Sequence, residues 1–206
     1  MKESRLRQAL GLVIDLVFAG ILWLLCSLPV LTLGPASTAL YYAVVKCVRH
    51  DRGRLSAVFF AGFRRGFRQS FPMWLLYLGA LALALLDMYA YSRMELRGGA
   101  LLSALGGMLL IPAALSFPWM FAYISRFENS FGGSLRFVFF LCFHNLGRSV
   151  LLALELLGFL AIVWLIPQLL PIVPGAFALL MSLLIEPVFR VYTLGQGGGE
   201  DAWYNE

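Results

Sequence analysis

The apolar residues of this chain fall in long blocks, not in strand-like alternation. Blocks at 9–28, 71–91, 100–124 and 150–170 each run for about twenty residues with few charges. A helix rising 1.5 Å per residue needs about twenty mainly apolar residues to cross a hydrocarbon core of about 30 Å. A fifth block at 174–192 qualifies despite Glu186 and Pro187. The pattern predicts an all-α, polytopic transmembrane helical bundle. Between the first two blocks lies 31–45, apolar but short, where Pro29, Gly34 and Pro35 interrupt the run and predict a break. The bundle has five or six spans according to what that stretch does. Residues 1–194 are expected to form one transmembrane helical domain. The glycine-rich end, 195–206, reads as a flexible cytoplasmic tail.

Basic residues orient the bundle, because loops rich in Lys and Arg stay on the cytoplasmic side. Lys2, Arg5 and Arg7 precede the first block, and Lys46, Arg49, Arg52, Arg54, Arg64, Arg65 and Arg68 precede the second. Arg126, Arg136 and Arg148 separate the third from the fourth, and Arg190 lies near the C-terminal end. Only Arg93 and Arg97 fall in the loop expected outside. With both termini inside, 31–45 must be a short sixth span or a re-entrant half-helix. Irregular backbone at that depth is tolerated only inside protein or beside a water-filled cavity. Five spans with the N-terminus outside is the other arrangement.

Composition agrees with a bilayer location. The 206 residues are 61% hydrophobic and 13% charged, against about half and about a quarter for a soluble domain. The net charge of +5 follows from topology, so no nucleic-acid partner need be invoked. The N-terminal basic residues imitate a signal peptide, but the apolar run after them exceeds the usual ~7–15 residues and lacks a small-x-small cleavage site. It is expected to be a retained first span. Cys26, Cys47 and Cys142 have no metal or redox spacing and read as buried small hydrophobes.

Segment 54–69 is the best amphipathic helix. Leu55, Phe59, Phe60, Phe63 and Phe67 share one face at helical spacing, and Arg54, Arg64, Arg65 and Arg68 lie opposite. Such a helix suits the membrane interface, where its basic face anchors the protein or docks a partner or lipid. Its counterpart at 129–143 is apolar around more of its circumference. The two regions echo each other: Leu33-Gly34-Pro35-Ala36 with Leu110-Ile111-Pro112-Ala113, and Val58-Phe59-Phe60 with Val138-Phe139-Phe140. Both copies would share one orientation, as in a parallel transporter repeat.

Acids at membrane depth are costly and carry a functional hypothesis. Glu155 lies well inside its block and Asp15 about two turns into the first, while Asp87 and Glu186 lie nearer span ends. Glu186 is expected to pair with Arg190 at i,i+4. Glu155 has no basic residue within one turn and reads as a buried interhelical hydrogen bond or a proton- or ligand-coupling carboxyl. Ala80/Ala84 and Ala100/Ala104 are candidate close helix contacts. No HExxH, Walker A, GxSxG or clustered Asp/His pattern occurs, so no catalytic residue, metal or cofactor is expected.

Two stretches resemble the YesL family of bacterial membrane proteins. One is Thr32-Leu33-Gly34-Pro35-Ala36-Ser37-Thr38-Ala39-Leu40-Tyr41-Tyr42, continuing at Phe59-Phe60-Ala61-Gly62-Phe63-Arg64-Arg65-Gly66. The other is Tyr123-Ile124-Ser125-Arg126-Phe127-Glu128-Asn129. Gly66 stands where the family often has Asn, and Val58 where it often has an acid. The resemblance implies a multi-pass protein of the bacterial cytoplasmic membrane, encoded beside carbohydrate-uptake ABC transporters, and supplies no catalytic residues. The leading expectation is a non-enzymatic accessory component that contacts an ABC sugar-transporter permease or sensor. The alternative is a small permease in its own right, with the break at Thr32, Gly34 and Pro35 and Glu155 near its pathway. A membrane-embedded enzyme is the third.

Overall fold

A computed structural model describes residues 2–93 and 99–194, and among these no strand occurs. Seven helices carry the fold: α1 (Lys2–Ser27), α2 (Leu33–Ala43), α3 (Leu55–Arg93), α4 (Gly99–Arg126), α5 (Phe131–His144), α6 (Leu146–Leu165) and α7 (Val173–Leu194). Four of the described segments are long and apolar enough to cross a membrane: Leu10–Ser27, Leu55–Ala90, Leu146–Leu165 and Val173–Tyr192. The tail at 195–206 and Arg97 lie outside the described residues.

The expected break falls at 28–32, where α1 ends and a single turn at Val30–Thr32 leads into the short, buried α2. After α1, Thr32 Oγ1 donates to the carbonyls of Cys26 and Pro29 at 2.6 and 2.8 Å. These bonds satisfy carbonyls at the end of α1 while the chain reverses. Pro35 sits in the first turn of α2, where its missing N–H costs nothing. Nine of the eleven residues of α2 are buried. The helix then loosens into a π-helical turn, Val44–Arg49. A loop with Asp51 and Gly53 at positive φ leads to α3, and a short acid and a glycine are residues that adopt this conformation at low cost.

The predicted surface helix and the predicted span after it are one continuous 39-residue helix, α3, with Pro72 inside it. Proline removes one backbone hydrogen bond, and packing against neighbouring helices lets the helix continue. α2 lies antiparallel along its first half. Gly62 faces Tyr42, Gly66 faces Thr38, and Trp74 closes over Gly34, where an added methyl would collide with the Trp74 Cβ. The buried stripe is therefore Leu55, Phe59, Gly62, Gly66, Ser70 and Met73. Phe60 is 47% exposed and Phe67 is exposed too, because the buried stripe runs through Phe59 and the glycines that admit the neighbouring backbone. Of the expected alanine contacts, Ala84 is buried, Ala80 and Ala104 are exposed, and the side-chain surroundings of Ala100 lie outside the described residues. A second close crossing joins α1 to α7, where Gly20 and Gly175 leave no room for a Cβ against Pro171 and Leu16.

The proposed repeat is uneven. Leu33–Ala36 open the short α2, whereas 110–113 lie within the 28-residue α4. The second copy breaks between α5 and α6 at Asn145, while the first runs through the equivalent region unbroken. Ser149 bridges that break, accepting from Trp119 Nε1 at 2.9 Å and donating to the Cys142 carbonyl at 2.8 Å.

Candidate functional site

The polar side chains gather at the C-terminal end of α4. Tyr123 and Arg126 occupy its last turn, and Glu128 and Asn129 form the loop to α5. Asn129 holds that loop in shape. Its Oδ1 accepts from Ser130 N at 2.8 Å and its Nδ2 donates to Tyr123 Oη at 3.4 Å. Ser130 caps α5, accepting from Gly133 N, which satisfies one of the amide donors a helix start leaves open. A side chain at 133 would strike Asn129.

Arg126 turns inward and meets Glu186 of α7, with Nη1 donating to Oε2 at 3.1 Å. Their side chains are 3% and 5% exposed. Tyr41 Oη of α2 donates to the other carboxylate oxygen at 3.0 Å. The Arg126 guanidinium also stacks over Phe127 and Phe189 at 5.8 and 5.5 Å. One turn away on α7, Arg49 Nη1 donates to the Ser182 carbonyl and hydroxyl at 2.7 and 3.1 Å. These bonds tie α2 and α4 to α7. Glu186 thus pairs across helices, not with Arg190, which is exposed. In-helix geometry would leave both charges at the surface, whereas the i−60 guanidinium reaches the buried carboxylate directly.

Two recesses flank this end. One of about 330 Å³ is lined by Tyr123, Arg126, Phe127, Glu128 and Asn129 with Phe137 and Tyr192. Its wider neighbour, about 630 Å³, shares Glu128 and Asn129 and takes its other wall from Arg65, Arg68, Gln69 and Pro72 of α3. Arg65 Nε donates to Glu128 Oε1 at 2.7 Å with both side chains substantially exposed. Gln69 donates to Ser134 Oγ at 2.6 Å. With Arg65 and Glu128 offsetting each other, Arg68 leaves the wider recess net positive. Arg54 and Arg64 extend the exposed basic surface along α3.

Of the residues singled out from sequence, Tyr123, Arg126, Glu128, Asn129, Arg65 and Arg68 come together here. Thr32, Gly34 and Pro35 do not: they shape the α1–α2 reversal and the seat of Trp74. Asp15 is exposed on α1, beside rather than on its buried Leu16–Ala19 face. Glu155 stands apart on α6, its two carboxyl oxygens buried and without a hydrogen-bond partner among the described residues. The contacts of Tyr41 and Arg49 with α7, and any role for Ser182, are not legible in the sequence. Their partners lie 133 or 145 residues away, and the one signal available was an acid in a span and an arginine at a span end. Among the described residues no three His, Cys, Asp or Glu side chains cluster to hold a metal.

Fold and site together define a multi-pass, all-helical membrane protein with a polar, basic-rimmed end. The family described as a protein of unknown function, DUF624, matches residues 16–88, the region from α1 through most of α3. No curated protein matches the chain. No solved structure matches it either.

Proposed function

We propose that this chain is a non-enzymatic accessory component of a membrane uptake or sensing system, docking its partner at the basic recess between α3 and the α4–α5 loop. The observation that carries this reading is the exposed row Arg64, Arg65 and Arg68 beside Glu128 and Asn129. An acidic partner surface complements it, and such complementarity governs register and partner choice. The YesL resemblance makes a carbohydrate-uptake ABC permease or its sensor the expected partner and the cytoplasmic side of the bacterial membrane the expected location of this face. The packing of Gly34 under Trp74 weighs against a permeation path through the α1–α2 reversal.

Affinity capture of the full chain from native membranes tests the reading. A stoichiometric transporter permease, lost when Arg64 and Arg68 are changed together to Glu, is the expected result. Retention of the permease by that variant reduces the row to a membrane anchor. Sugar transport by the purified chain alone in liposomes would overturn the accessory role.

A further inference from the structure

Between α1, α2, α3, α4, α6 and α7 lies a partly open cavity of about 300 Å³, with the exposed Leu160 at its rim. Its wall is aromatic, with Trp23, Trp74, Phe117, Phe121, Phe159 and Phe177 among the lining residues. The few polar side-chain groups on that wall are already engaged. Trp23 Nε1 donates to Ser37 Oγ at 3.0 Å, Trp74 Nε1 to the Val30 carbonyl at 2.8 Å, and Tyr41 Oη to Glu186. A sugar entering here would lose its bonds to water without replacement, at a cost of several kcal/mol for its set of hydroxyls. Water is a poor occupant for the same reason, since it needs 2–4 polar partners. An apolar cavity of about 150 Å³ accommodates benzene, so this one has room for an apolar group of about twice that bulk.

A second apolar cavity, about 330 Å³, lies between α3 and α4 and is lined by Tyr77, Leu78, Leu81, Leu110 and Ala114. Trp74 and Phe117 belong to both walls. Their rings, 5.7 Å apart between centroids, stand between the two spaces. The Trp74 indole is pinned by a hydrogen bond to Val30, whereas Phe117 is held by apolar packing, including ring contacts with Trp74, Tyr77 and Phe121. The outer space opens past Leu81 and Ala114, both exposed on the apolar outside of the helices. In a bilayer that outside is covered by hydrocarbon chains.

We propose that the two cavities form one site for an acyl chain of a bilayer phospholipid, entering between α3 and α4 and passing Phe117 to reach the space under Trp74. The site is independent of the basic recess.

The test reconstitutes the full chain in phosphatidylcholine vesicles containing a phosphatidylcholine with a mid-chain photoactivatable diazirine. After illumination, the labelled residues are located by mass spectrometry. Label is expected on α6 and α7 residues of the inner wall, around Phe159 and Phe177. Trp164, 83% exposed on the outer surface of α6, is the reference for ordinary lipid contact. Filling the inner cavity from two different helices, with Ala178→Phe or Leu156→Phe, should lower inner-wall label several-fold relative to Trp164. Each variant is first checked for a monodisperse elution profile, and either one suffices. Phe117→Ala, which joins the two spaces, should raise it. Label confined to outer residues, or inner label unchanged by both fillings, overturns the proposal. Inner label from a free diazirine fatty acid but not from the phospholipid overturns the assignment to a phospholipid chain.

Discussion

Glu186→Leu removes the carboxylate that holds α2, α4 and α7 together. The variant removes the carboxylate that faces the buried Arg126 guanidinium, 3% exposed, and takes the acceptor from Tyr41 Oη. Breaking one side of a buried pair costs about 3–5 kcal/mol. At about 1.4 kcal/mol per tenfold, the folded-to-unfolded ratio falls roughly a hundred- to several-thousand-fold. Arg126→Met strands the carboxylate instead and should cost a similar amount. The double variant removes both charges. Its remaining defect is the Tyr41 hydroxyl without an acceptor, about 1–3 kcal/mol, so it should be more stable than either single variant. Reversible unfolding in mixed micelles, followed by tryptophan fluorescence, measures all three. Trp119 reports locally, with its ring 6.3 Å from that of Phe189. Costs of the two single variants that merely add, within about 0.5 kcal/mol, would refute the pairing.

Three further outcomes are expected. Gly34→Ala forces α2 away from Trp74 and should destabilise by about 1–3 kcal/mol or more, read as a lower midpoint in the same unfolding experiment. Arg65→Ala should cost at most about 1 kcal/mol, because its pair with Glu128 is exposed, while weakening partner capture. Glu155→Gln should leave the unfolding midpoint unchanged or raise it, since the carboxyl it replaces has no hydrogen-bond partner among the described residues. Lost function with normal expression would then mark that carboxyl as chemically active.

The sequence made the helical blocks legible because each helix carries its own hydrophobic signal. It marked the Tyr123–Asn129 stretch through resemblance, and that stretch does line the polar end. What it hid was contact across distance. Glu186 had a plausible local partner in Arg190, and nothing in the chain's order points to residue 126. The helix contact of α3 was hidden for a related reason. Phenyl rings dominate a hydrophobic pattern, but Gly62 and Gly66 decide where a second helix can approach. The break expected around Pro29, Gly34 and Pro35 is present at 28–32, but Gly34 and Pro35 themselves begin a helix that packs against α3.

The length of α3 constrains how the protein sits in a membrane. Its 39 residues rise about 58 Å, nearly twice a hydrocarbon core of about 30 Å. Transmembrane helices tilt by about 40° at most, which accommodates roughly 26 residues in that core. About 13 residues of α3 must therefore project from the hydrocarbon, whatever the tilt in that range. The stretch 55–68 is of that size and carries three arginines, the costliest residues to immerse. The hydrophobic mismatch of one helix thus places its arginine end at the headgroups, as a stiff post that bilayer thickness alone would not produce.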